Sequence, residues 1–204
     1  MSKGFTIIEL VISIFVLSIA IIGIFSAFSV VTILTSNSVD GFTGTYLAQE
    51  GMEIVRNIRD TNWLNMDTYC ASYDCSAYND FSWVDGLNLA ACSATGCEAD
   101  YTTGTSVSGA WTMSPWASRP LLKNTNGFYN YTSGANTKFK RKIIITKVTD
   151  VDNKDDHIIK VIVKVSWDEK ATILNFGVFA DTCGSSNCIT AEETLYNWYN
   201  YVNQ

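Results

Sequence analysis

The side chains able to do chemistry in this chain are few and unevenly placed. Six cysteines fall as Cys70/Cys75, Cys92/Cys97 and Cys183/Cys188, each pair spaced C-x4-C. Thiols at this spacing can close small disulfide loops or ligate a soft metal. Cys70-x4-Cys75 and Cys92-x4-Cys97, with sixteen residues between them, loosely match a four-cysteine zinc site. An even count and a repeated spacing favour three local disulfides instead. Each would contribute only about 2 kcal/mol, so such bridges pin loops rather than hold a fold. The single histidine, His157, leaves little for imidazole catalysis or ligation and reads as a solvated turn-edge residue.

The acidic run DVDNKDD, Asp150 to Asp156, suggests calcium, but its fifth and sixth positions are Lys154 and Asp155. An EF-hand loop needs an oxygen ligand and a glycine there, so a hairpin turn is the better reading. Lys138, Lys140 and Lys142 share one face of an expected strand, with Arg141 on the other. They could touch phosphates or acidic lipid, yet lysine protecting an exposed or edge strand from mispairing is the preferred reading. Asn130-Tyr131-Thr132 fits a glycosylation sequon. No nucleophile elbow, phosphate-binding glycine loop, HExxH or CxxC occurs. Neither an enzyme nor a cofactor or metal is expected. The formal charge of -6 argues against a chain built to hold nucleic acid, which is normally basic.

One further carboxylate stands in unusual company. The chain starts MSKGFTIIELVISIFVLSIAIIGIFSAF, with Glu9 near the head of an apolar run. From Leu10 to Val39 no residue is charged. Thirty such residues in a helix reach about 45 Å, more than the ~30 Å of a bilayer core. A secretory signal has a shorter apolar core and a clear small-x-small site after it; Ser26-Ala27-Phe28-Ser29 is a weak match. Lys3 before the run and Asp40 after it place the N-terminus in the cytoplasm and the remainder outside.

These residues need elements to hold them. Proline is absent from Phe5 to about Asp60, and Leu47, Gly51, Ile54, Val55 and Ile58 make one helical stripe. A single helix of about 50–55 residues is expected, apolar all round in its first half and amphipathic in its second. Asn37–Gly44 is where it would bend or loosen. The stripe is expected to pack on the protein's own core. Residues 63–137, rich in Ser, Thr, Asn, Gly and aromatics, predict turns, short strands and a short helix stapled by four cysteines. Their aromatics read as a local mini-core more than as an adhesive face. KFKRKIIITKVTD, HIIKVIVKVSWDEK and ATILNFGVFAD predict three sequential antiparallel strands. Ile159, Val161, Val163, Val165 and Trp167 share the face expected to cover the helix stripe. TLYNWYNY reads equally as a last edge strand or a short helix.

Only the N-terminus is specific. Lys3-Gly4-Phe5-Thr6-Ile7-Ile8-Glu9-Leu10 resembles the start of type IV prepilins and pseudopilins: a short basic leader, glycine, phenylalanine, and glutamate fifth after the glycine inside a long apolar helix. More softly, YLAQEGMEIVRNIRD and the strands ending VKVSW look like minor pilins and minor pseudopilins. The resemblance implies an α+β, type IV pilin-like fold, with the long N-terminal helix packed against a C-terminal antiparallel β-sheet. It implies a leader at 1–4, a membrane and assembly half of the helix at 5–36, and an amphipathic half at 37–62. The loop-rich, cysteine-stapled region at 63–137 and the sheet with its tail at 138–204 would follow. A prepilin peptidase would cut between Gly4 and Phe5 and methylate the new amine of Phe5. Partners would be other pilin or pseudopilin subunits, met through the N-terminal helix and Glu9, and an inner-membrane assembly platform. The competing class is a permanent single-span surface protein with a ligand-binding or adhesive outer domain.

Overall fold

The computed structural model describes residue 4 and residues 6–70, 83–104, 112–148, 158–167, 183 and 187–197. The chain is α+β: a long N-terminal helix followed by antiparallel sheets, in keeping with a type IV pilin fold. It divides into two units, Met1–Phe42 and Thr43–Gln204.

The first unit contributes the head of helix α1, which runs over Ile7–Cys70. From Ile7 through Val39 every side chain is exposed, so this stretch buries nothing on its own chain. The helix stays helical through Asn37–Gly44, where loosening was expected. It also continues past the expected end at residue 62, as far as Cys70.

The second unit begins with the amphipathic half of α1. Leu47, Gly51, Ile54, Val55 and Ile58 are all buried, as the stripe requires. Short helix α2 (Leu89–Ala94) follows, then strands β1 (Cys97–Glu98), β2 (Ser114–Pro115), β3 (Leu122–Lys123), β4 (Tyr129–Asn130) and β5 (Ala135–Asn136). Three long strands complete the order: β6 (Phe139–Lys147), β7 (Ile158–Trp167) and β8 (Cys188–Tyr196). They lie in a five-stranded antiparallel sheet ordered β2-β1-β6-β7-β8, beside a small three-stranded sheet β4-β3-β5.

Period-two patterning sets the faces of the large sheet. Phe139, Arg141, Ile143 and Ile145 of β6 stand across from Trp167, Val165, Val163 and Val161 of β7. All are buried, and they meet the helix stripe in one core. The helix comes very close at its glycines. A Cβ on Gly44 would stand 2.7 Å from the Trp167 ring, and one on Gly51 would stand 2.8 Å from Val163 Cγ1. Both glycines therefore serve close approach, at the usual cost in helix propensity.

The third long strand is β8, which pairs with β7 from Ser166↔Cys188 to Ile158↔Tyr196. Its last residues are the start of TLYNWYNY, so the strand reading holds as far as Tyr196. The strand expected over ATILNFGVFAD and the turn over VDNKDD lie outside the described residues. β6 lies between β1 and β7, but the two-residue β1 meets it only at Ile143, so most of its outer edge is left open, in line with the reading of its lysines as protection of an exposed or edge strand.

The loop-rich stretch is held by buried polar groups rather than by long strands. Glu98 is buried and accepts from the backbone N–H of Ala117 (2.9 Å) and Arg119 (3.1 Å), while Arg119 Nε and Nη2 both reach its Oε2 at 2.7 Å. Asp100 accepts from Tyr131 N–H (2.9 Å) and from Thr102 N–H and hydroxyl (2.9 and 2.6 Å). Carboxylates stand in here for the backbone partners a strand would supply, because buried N–H groups must be paired. Arg141 is fully buried: its Nη1 donates to Leu47 O at 3.1 Å and lies 3.3 Å from Glu50 Oε1, and its Nη2 donates to Ala99 O at 2.6 Å. One guanidinium thus bridges α1, β6 and the segment after β1.

Candidate functional site

The head of α1 is built by Thr6 and Glu9. The N–H of Glu9 donates to Thr6 O at 3.1 Å and to Thr6 Oγ1 at 3.4 Å, and the N–H of Leu10 donates to Thr6 O at 3.2 Å. The Thr6 hydroxyl in turn faces Glu9 Oε2 at 3.5 Å. This is most of a capping box, and it places a carboxylate at the positive end of the helix dipole. Sequence reasoning named Glu9 but missed Thr6, although the Thr-x-x-Glu spacing carried the signal. Gly4 has nothing within 4 Å of where a Cβ would stand, so no packing among the described residues explains a glycine there. Phe5 lies outside the described residues.

Behind this head, α1 is long and apolar enough to cross a membrane, with a window of mean hydropathy 2.8 that buries no residue. Its hydroxyls are turned inward to the backbone. Ser13, Ser18, Ser26, Ser29, Thr32, Thr35 and Ser38 each donate to the carbonyl four residues earlier, at 2.7 to 3.0 Å. Hydroxyls satisfied in this way need no water, which suits an apolar solvent.

The amphipathic half is tied to its own domain by charge. Arg56 reaches Glu193 of β8 through Nη2 (2.6 Å) and Nε (3.2 Å), and also pairs with Glu53 one turn back. The Glu193 hydrogen bond holds the Arg56 guanidinium above its ordinary value. Asp60 pairs with Arg59 at 2.8 Å, and Arg59 stacks on Trp63 at 4.5 Å.

The structure places the other candidates as follows. Cys92 is bonded to Cys97 and Cys183 to Cys188, with Cα–Cα distances of 4.8 and 5.2 Å. The zinc alternative is removed, because the Cys92 and Cys97 sulfurs bind each other. Cys70 ends α1, and Cys75 lies outside the described residues, as do His157 and Asp150–Asp156. Asn130 is buried; its Oδ1 accepts from Thr132 N–H (2.9 Å), Thr132 Oγ1 (3.1 Å) and Ser133 N–H (2.8 Å). The sequon is therefore a folded turn that presents no accessible amide for a glycan. Burial raises the Tyr131 phenol well above its ordinary value, and its hydroxyl donates to Arg141 O at 3.1 Å.

The description of one family model, the prokaryotic N-terminal methylation motif, fits residues 1–25. No curated protein and no solved structure matches the chain. The match begins before Gly4, contains Phe5, Thr6 and Glu9, and ends inside the exposed apolar stretch of α1. The chain thus carries a prokaryotic N-terminal methylation motif at the head of a membrane-length helix, and this supports its place among the type IV prepilins and pseudopilins.

Proposed function

We propose that this chain is a structural subunit of a type IV pilus or a type II secretion-like pseudopilus, made as a membrane-anchored precursor. Prepilin peptidase cuts after Gly4 and methylates the Phe5 amine. The subunit then leaves the inner membrane through its assembly platform and joins other subunits by the apolar half of α1. The observation that carries this reading is a glycine that no packing among the described residues explains, set before a capped carboxylate and a helix exposed from Ile7 to Val39.

The chemistry supports the order of events. A lone carboxylate in hydrocarbon costs roughly 2.5–3.5 kcal/mol, and such groups usually have a partner. Cleavage creates a cation at Phe5. In a bundle of packed helices Glu9 of one subunit meets the Phe5 amine of a neighbour, so both charges are paired and the register is set. The resemblance of YLAQEGMEIVRNIRD and of the strands ending VKVSW to minor pilins and minor pseudopilins favours a minor subunit over a major one. Disulfides in the folded domain fit a location outside the cytoplasm.

N-terminal mass analysis of the mature protein tests the reading. A methylated Phe5 start is expected; an uncut Met1 start would sink it in favour of a permanent single-span surface protein.

A further inference from the structure

The outer face of the large sheet, opposite the helix, carries a lysine cluster. Lys142 of β6 stands directly across from Lys164 of β7, and Lys140 lies on the diagonal. Directly opposed side chains have Cβ atoms roughly 5 Å apart and diagonal ones roughly 7–8 Å, and like charges so placed destabilise a sheet. Lys140 Nζ is 3.4 Å from Ser118 Oγ, and Lys142 Nζ sits 4.2 Å above the Trp116 ring. None of Lys140, Lys142 and Lys164 meets a carboxylate among the described residues. One lysine on the same face shows what the others lack: Lys160 holds Glu192 at 2.6 Å. β7 is an inner strand, and β6 meets the two-residue β1 only at Ile143, so edge protection does not account for Lys164.

We propose that this face is a docking surface for an acidic, carboxylate-bearing peptide segment of a partner protein. Two observations choose that occupant over other anions. First, Ile144 and Ile162 stand opposite each other beside the Lys142–Lys164 pair, half-buried, so the surface alternates cationic and aliphatic rows. An extended peptide with acidic and apolar side chains matches both rows, whereas a phosphate backbone matches only one. Second, the chain carries 20 acidic against 14 basic residues. A long polyanion such as nucleic acid would overrun the patch and meet that negative field, while a short segment stays within it.

The test uses the full chain in zwitterionic lipid nanodiscs free of detergent. A labelled glutamate-rich decapeptide, a thymidylate decamer and vesicles of anionic lipid are titrated at low salt. The decapeptide is expected to bind best. The Lys142→Gln/Lys164→Gln double variant should weaken it about three- to tenfold, while Lys123→Gln leaves it unchanged. Relief of the opposed charges should leave the thermal midpoint of the double variant equal or higher. No binding of the decapeptide, binding indifferent to the double variant, or tighter capture of the thymidylate or vesicles through these lysines would overturn the proposal. So would a fall in the thermal midpoint, because it would make the lysines structural.

Discussion

Helix α1 is one run of hydrogen bonds but two kinds of surface. Before Val39 its side chains are exposed without exception; after Thr43 the stripe at Leu47, Gly51, Ile54, Val55 and Ile58 is buried under β6 and β7. The same backbone is thus left open in one half and clamped in the other. The first half has only local hydrogen bonds to fix it, and none of its side chains is buried. The second half is fixed by close glycines, a buried guanidinium and an ion pair to β8. Sequence composition writes this division: uniform apolar residues leave no preferred face, whereas a stripe selects one.

The comparison breaks most easily at Arg141. Arg141→Leu leaves the Leu47 and Ala99 carbonyls and the Glu50 carboxylate without their cation, and should destabilise the second unit by about 3–5 kcal/mol in denaturant unfolding. An unchanged midpoint would mean that the clamp is apolar alone. Gly51→Ala is expected to destabilise by about 1–3 kcal/mol through overpacking against Val163, although alanine is the better helix former. Reduction of the Cys92–Cys97 and Cys183–Cys188 bridges should each cost about 2 kcal/mol in the same assay.

Alkaline pH sharpens the same contrast. Burial raises the Tyr131 phenol in the folded state, so its contribution is intact below the unfolded value of about 10. Above that value the unfolded chain loses the proton first, and stability falls as pH rises. Tyr131→Phe should flatten this alkaline decline while removing one hydrogen bond. Glu9→Ala belongs at the other end of the scale. It should shift the thermal midpoint of the second unit by no measurable amount, within about 0.5 kcal/mol for a site outside any core. It should nevertheless abolish incorporation into filaments. Normal incorporation would remove the proposed register role of Glu9.

How much of this was legible in the sequence follows from what each signal depends on. The apolar run, the stripe and strands β6 and β7 rest on periodicity, which a single chain displays openly. The N-terminal motif that contains Gly4, Phe5 and Glu9 rests on order and spacing, and was equally legible. Arg141 was not. In Lys-Arg-Lys it looks like part of a solvated run, and only the period-two reading of β6 places it inward, where a charge is not expected. β8 was missed over most of its length because CITAEETLY alternates weakly, with Glu192 and Glu193 adjacent. Glu193 is tied up by Arg56, a partner 137 residues away that local pattern cannot reveal. The continuation of α1 to Cys70 escaped for a similar reason: Asn62 is a poor helix former, but it donates to the Trp83 and Asp85 carbonyls at 3.0 and 2.9 Å.

The seven hydroxyls folded onto the backbone of α1 have a consequence for transport. A stretch in which these seven hydroxyls are quieted from within is less sensitive to which dry medium surrounds it. Moving it from hydrocarbon to a protein interior breaks no hydrogen bond and strands no water. What remains to tell the two destinations apart is the single charge at its tip, so under the proposed function one residue would act as the address label for the whole helix.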